Sequence, residues 1–488
     1  MAKEKIGSYF TRAKATLHRI ADRLFLKESS FKQRFLVPVI VKVIYILLTI
    51  LLLTYKEYVE GCTYGVQFNV WKELLATFVF LPAVYIHAKL PLTDSFSRLL
   101  MRFLLILYYI PLNSSFALND TPFSFFWFSN IYFLLLMAAV YGFDALCRRW
   151  HAKHPPRLQK DPSFSLLNNR NINLFCAAIC ILFIIHKLSY NGFSLSLSLE
   201  SSDVYGNRSS YQEYLDSIAG TLGAYALSIL RSLATFVTPY YLLSALIRKK
   251  AVPLILSILC ILSMFSVSSE KSRLFILAVV VAIYVFYRIK CLERFERVFD
   301  VIILALLSLC LVEIVLRGES IIYSLFLRRE MYIPSWMNSL YYDFFSVNPN
   351  VFWTQDVFVL EELFSSITPY ATSPLYVISA QYFNGLVPSP NTGLFAEAYM
   401  HFGFIGLIIY PVILTVLFKF FSKAVESYGK AICALLAIQL TLRLINVPIT
   451  RTDTVLGIFL FVAMLWILPK LRLPKLKTKK AAPSNTEQ

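Results

Sequence analysis

The chain has 488 residues, 57% of them hydrophobic and only 16% charged, with a mean hydropathy of +0.62. A soluble domain cannot hide that much apolar side chain, so the solvent around most of it must be lipid. The formal net charge of +18 would suggest a nucleic-acid partner in a soluble protein. Here cationic loops facing anionic headgroups account for it, and no nucleic acid is expected.

Residues 1–34 form a basic segment in which 9–25 reads as an amphipathic helix on the inner leaflet. Its polar length, with no small-residue cleavage site after the first apolar stretch, argues against a cleavable signal peptide. Twelve apolar stretches follow: 35–55, 70–86, 103–118, 125–146, 172–190, 218–247, 252–267, 274–287, 299–316, 394–418, 431–444 and 455–468. A helix crosses a bilayer with roughly 17–25 residues, so the shorter ones have soft ends. The expected fold is an all-α polytopic membrane domain over 35–468, with one large loop, 317–393, between the ninth and tenth helices. The basic tail 469–488 runs into Ala, Pro, Ser and Asn and reads as disordered.

Charge placement orients the spans. With the N-terminus inside and loops alternating, 34 of the 47 Lys and Arg fall on the cytoplasmic side and 9 outside, counting Lys72 at the outer end of its stretch, while Lys42, Lys187, Arg231 and Arg443 lie within spans. That asymmetry obeys the positive-inside rule, puts both termini in the cytoplasm and faces the large loop outward. Of the eight cysteines only Cys62 is clearly outside, so no disulfide framework is expected.

Within the large loop, Ser320 to Arg329 has helical spacing. Pro334 suits the first turn of a second helix, 335–346, where Tyr341, Tyr342, Phe344 and Phe345 bunch together. Such helices are expected to lie in the interface plane. The dipeptide Asn348-Pro349 should turn the chain.

Several residues carry candidate chemistry. Arg317, Arg328 and Arg329, with Arg208 and Arg273 in other outer loops, are cations on the side where they are disfavoured. Guanidinium groups grip phosphates bidentately and stay charged, whereas the bland role of each is to anchor headgroups or pair with Glu319, Glu330 or Asp343. The tight hairpin 267–273 holds Glu270, Lys271 and Arg273 at the edge of the hydrocarbon, as a wet site or an ordinary snorkelling turn. Where the loop re-enters the membrane, Asn391 and Thr392 can cap a new helix, and Gly403 and Gly406 permit close helix approach. Glu397 and His401, four apart, share a face. Glu397 could serve as a general base towards a sugar hydroxyl, or simply interact with the helix dipole. No Asp-x-Asp, Glu-x-Asp or Asp-x-Glu pair occurs, which disfavours a divalent metal, and no phosphate-binding Gly loop or nucleophile elbow is present.

The ordered set Asp203-Val-Tyr-Gly-Asn-Arg208, the Ser-Glu-Lys-Ser hairpin, Arg328-Arg-Glu-Met-Tyr-Ile-Pro334 with Tyr341, Tyr342 and Phe345, and Asn391 through Gly406 resembles the bacterial oligosaccharide repeat-unit polymerases. This is the Wzy family of O-antigen and capsule pathways, and the resemblance covers roughly residues 191–420. It implies a metal-independent, cofactor-free glycosyltransferase of the C-type membrane architecture in the bacterial cytoplasmic membrane. It would polymerise undecaprenyl-diphosphate-linked oligosaccharides, with a Wzz-type chain-length regulator as a further partner. In that scheme Arg328 and Arg329 stabilise the leaving diphosphate, which Arg273, Arg208, Arg317 and Lys271 help to bind. Glu397 accepts the proton, and Tyr341, Tyr342, Phe345 and His401 contact sugar or lipid. An O-antigen ligase shares the layout but typically carries a histidine in the large loop, and 317–390 contains none. A flippase would place its charges mid-membrane.

Overall fold

A computed structural model describes residues 31–471 except 91, 154–165, 195–209, 212, 215–216, 218–219, 269–271, 356, 358–363, 365–366, 388–389, 391–392 and 452–453. The expected amphipathic segment 9–25 and most of the tail therefore lie outside the described residues. Helices dominate: α1 Phe31–Leu53, α2 Val70–Lys89, α3 Ser95–Phe103, α4 Ile110–Leu118, α5 Phe123–Lys153, α6 Arg170–Asn191, α7 Gly220–Arg248, α8 Ala251–Ser268, α9 Ser272–Arg288, α10 Phe295–Arg317, α11 Ile333–Val347, α12 Pro374–Phe383, α13 Phe395–Val425, α14 Lys430–Asn446 and α15 Leu460–Ile467. Among the described residues the strands are one small antiparallel hairpin, β1 Glu57–Val59 and β2 Cys62–Thr63. Among the described residues, eight helices are long and apolar enough to cross a membrane, and three shorter apolar ones accompany them.

Local chemistry sets the helix starts. The Asn69 side chain accepts from the amides of Trp71 and Lys72 and opens α2. Asp94 accepts from the Ser97 amide at 2.6 Å and opens α3, and Asn169 does the same for α6. Each satisfies amides that a first helical turn leaves without a carbonyl partner. Gly318, in the left-handed region at φ 75°, ends α10, a conformation glycine adopts without a Cβ penalty.

A continuous rod, α3 to α4, runs fully buried through the bundle. Its middle, Leu104–Tyr109, widens into a π-helical turn, and a longer one occupies Tyr323–Tyr332. Both run into a proline two residues beyond, Pro111 and Pro334. A proline ring has no N–H and crowds the carbonyl four residues back, and the wider turn relieves that clash.

The two ends of the bundle differ. At the end where α1 begins, Arg102 grips Asp300 through Nε and Nη2 at 2.7–2.9 Å with both side chains 1% exposed. Glu296 pairs with Arg34 and Arg98, and Lys419 with Asp94 and Asp144. At the end where α1 finishes, the β1–β2 hairpin packs Tyr58 and Tyr64 against Trp336 and Phe383. Between the ends, Lys42 of α1 meets Glu73 at 2.6 Å, Asn113 at 2.8 Å and Thr77 at 3.1 Å. A charge within a span is tolerable only when paired and hydrogen-bonded in this way. Lys187 curls to the carbonyls of Gly192 and Ser194.

The large loop departs from the sequence expectation in one respect. Helix α11 matches the expected second helix and keeps Pro334 in its first turn, but it is buried rather than lying in an interface. Tyr341, Tyr342 and Phe345 are 0%, 5% and 3% exposed. Tyr342 packs on Phe125, Phe395 and Tyr399, and the Tyr341 hydroxyl donates to the Pro390 carbonyl. These rings are core, because α11 packs against α13 and not against water or lipid.

Candidate functional site

The π-helix Tyr323–Tyr332 carries Arg328 and Arg329 and is held on all sides. Its first turn is fixed by Ser320, whose hydroxyl receives the Tyr323 amide and donates to Glu313. The Tyr323 phenol donates to Thr49 of α1 at 3.0 Å. At its far end the Tyr332 phenol donates to the Tyr64 carbonyl at 2.9 Å, while Asn119 donates to both the Tyr332 hydroxyl and that carbonyl. Arg328 then reaches the Tyr64 hydroxyl through Nη1 at 3.1 Å, and its Nε is buried with no hydrogen-bond partner among the described residues. Burial pushes the Tyr64 phenol up, and the Arg328 charge beside it pulls the other way. Arg329, one residue on, is exposed.

Glu330 turns inward. Its Oε2 accepts from Asn446 at the end of α14 at 2.9 Å. Burial raises its carboxyl above the usual range, opposed by Asn446 and by the charge of Arg329. Phe326 meets Phe275 with ring centroids 5.5 Å apart, which sets the π-helix against the first turn of α9. Arg273 belongs to that turn, although only its backbone is described. The π-helix that carries Arg328 and Arg329 thus lies beside the turn that holds Arg273. Arg317 stands exposed on the last turn of α10, near enough to Glu313 for its charge to act there. Arg208 and Lys271 lie outside the described residues.

The second half of the site is the segment after the loop. Helix α13 is broken at Gly403, whose φ of 54° and ψ of −132° no helical residue adopts. Beyond the break the chain folds back so tightly that a Cβ on Gly406 would collide with the Ala398 carbonyl. The expected close approach at the glycines is therefore made by the helix's own first turns. The short arm 395–402 has both ends satisfied. Its amides at Phe395 and Ala396 donate to the Tyr108 hydroxyl and the Asn338 side chain. At its far end the Asn350 amide donates to the carbonyls of Tyr399 and Met400, Val351 N to Met400, and Phe352 N to His401. Phe352 and Trp353 both take positive φ, 47° and 62°, to make these contacts. Two bulky residues so strained persist only where the surroundings over-determine them.

Glu397 and His401 do share a face, with Tyr410 between them: Tyr410 donates to Glu397 at 3.4 Å, and its ring lies parallel to His401 at 6.3 Å. Neither side chain is open to a substrate. Glu397, 0% exposed, accepts from Ile449 N at 2.8 Å, Thr450 N at 3.2 Å and Thr450 Oγ1 at 2.9 Å as well. His401, also 0% exposed, accepts the Trp353 amide at Nδ1 and leaves Nε2 buried without a partner among the described residues. As described, the expected base therefore has no room for a sugar hydroxyl, and the expected sugar-contacting histidine is a packing residue. Sequence reasoning passed over Tyr64, Asn446 and Thr450. Their partners are 264, 116 and 53 residues distant, and no local pattern signals such pairs.

Among the described residues no three His, Cys, Asp or Glu side chains converge as a metal site. No model of a known family matches the chain, and neither the curated proteins nor the solved structures offer a similar one. Long apolar helices, a fully buried central rod and ionisable side chains paired inside the bundle define an all-α, multi-pass membrane protein.

Proposed function

We propose that this protein is a metal-independent membrane glycosyltransferase that polymerises polyprenyl-diphosphate-linked oligosaccharide repeat units. The reading takes the chain through the membrane twelve times with both termini in the bacterial cytoplasm, so that 317–393 faces outward. The observation that carries it is the pair Arg328 and Arg329 on an immobilised π-helix. One guanidinium is steered by Tyr64 with an unsatisfied Nε, and the next is exposed. π-helical turns recur at functional sites, and a buried unmatched donor on a fixed cation suits an anionic ligand, since each charge-assisted hydrogen bond contributes about 1.5–3 kcal/mol.

In the reaction the acceptor's terminal sugar hydroxyl attacks the anomeric carbon of the donor glycan. A new glycosidic C–O bond forms as the C–O bond to the diphosphate breaks, and the hydroxyl proton leaves to a base. Negative charge grows on the departing diphosphate, where Arg328, Arg329 and Arg273 stabilise it. Because Tyr64 already holds the Arg328 guanidinium, little reorganisation of that group accompanies the charge shift.

The test is reconstitution of the purified protein with a synthetic lipid-linked repeat unit. A ladder of lengthening glycans is expected from the native chain and only single units from Arg328→Ala with Arg329→Ala. A ladder undiminished by that double variant would overturn the assignment. Glycan carried across the bilayer without lengthening would make the protein a transporter instead.

A further inference from the structure

The Glu397 carboxylate accepts four hydrogen bonds, and three of them come from the turn after α14. Oε1 takes three of them, from Tyr410, Thr450 N and Thr450 Oγ1, and Oε2 takes one, from Ile449 N. The turn it holds is short and consequential. The Arg451 carbonyl accepts from Thr454 N at 2.9 Å and Val455 N at 3.0 Å, which starts the last apolar stretch. Thr454 Oγ1 in turn accepts from Arg443 Nε at 3.2 Å. One helical turn beyond Arg443, on the same face, Asn446 donates to Glu330, the neighbour of Arg329. The short arm of α13, the turn 448–451, the end of α14 and the π-helix are thus linked by hydrogen bonds joined through short lengths of backbone, with a carboxylate at each end.

We infer that Glu397 is a positioning residue: it holds the turn 448–451 so that Arg443 and Arg451 face the same diphosphate as Arg328 and Arg329. This rests on the glycosyltransferase reading above and deepens it by adding two guanidiniums to the anion-binding group. It also removes Glu397 from the proton-transfer step. At 0% exposure the carboxylate can meet an acceptor hydroxyl only if the groups packed around it are displaced.

Two variants separate positioning from proton transfer. Glu397→Gln keeps the shape but offers one acceptor oxygen and sets an NH2 against the backbone donors. Thr450→Val deletes the hydroxyl donor alone and leaves both backbone amides in place. For positioning, KM for the lipid-linked donor rises at least 10-fold in the first variant and about 3-fold in the second. The Kd for glycan-free undecaprenyl diphosphate rises in parallel, and the pH profile of kcat keeps its shape. If Glu397 is the base, kcat of Glu397→Gln collapses, its low-pH limb vanishes, and Thr450→Val keeps the native KM. That pattern overturns the inference, as does an unchanged KM and Kd in both variants. Should Glu397→Gln fail to fold, Thr450→Val decides alone. The parent reading is tested separately: a native protein that binds undecaprenyl diphosphate no better than undecaprenol sinks both claims.

Discussion

The backbone of Gly406 rests directly on the carbonyl of Ala398, eight residues earlier in the same helix, because Gly403 reverses the chain between them. That contact converts what reads as one span into a short arm and a long one, and it sets the depth at which Glu397 and His401 sit.

Substituting either glycine tests this reversal. Gly406→Ala drives a methyl into backbone that cannot move aside, and Gly403→Ala places a side chain in a conformation costing on the order of 1–3 kcal/mol. Both should lower the melting temperature in detergent by several degrees. Gly142→Ala, where a Cβ meets nothing within 4 Å, should leave it unchanged or raise it slightly, since Ala favours a helix over Gly by roughly 0.5–1 kcal/mol.

The opposite end of the bundle has its own test. Arg102 and Asp300 exclude water from each other, so removing one partner strands a buried charge. Asp300→Leu or Arg102→Met should each cost about 3–5 kcal/mol, while the double change to Leu and Met should cost clearly less than either single one. Thermal unfolding of the four proteins measures the coupling. A double variant that loses the sum of the two single losses would show that the pair contributes nothing jointly.

The rings of α11 are expected to act through packing. Tyr342→Ala should destabilise by about 3–5 kcal/mol, in the manner of other large-to-small core changes. Tyr342→Phe, which keeps the ring, should leave both stability and glycan length near native values. A shortened glycan from Tyr342→Phe at full stability would return that ring to the substrate.

Glu330 makes stability pH-dependent with a definite sign. Burial raises its carboxyl in the folded protein, so the native state holds the proton more tightly than the unfolded chain does. Its contribution is present in full below the ordinary glutamate value of about 4.3 and is lost as pH rises through the raised native value. Glu330→Gln keeps an oxygen for Asn446 and removes the titration. The melting temperature of the variant relative to the native protein should therefore rise between pH 4 and 8, and a flat difference would contradict the argument.

The sequence alone determined the class of this protein. Apolar stretches of membrane length, polar caps such as Asn69 and Asp94 ahead of them, and Pro334 opening α11 are local signals, and local physics reads them directly. The adjacency of Glu397 and His401 was equally legible, because a spacing of four places two side chains on one helical face. Only the tertiary structure decided what those faces meet. In a chain solvated by lipid, apolar periodicity cannot distinguish a ring facing the bilayer from one facing protein, so Tyr341, Tyr342 and Phe345 looked available when they are core. Nor can spacing reveal that Glu397 is consumed by Ile449 and Thr450, or that Arg328 leans on Tyr64. Those pairs come together only when distant segments fold onto one another, and burial, which no local pattern records, decides whether a carboxylate reacts or holds.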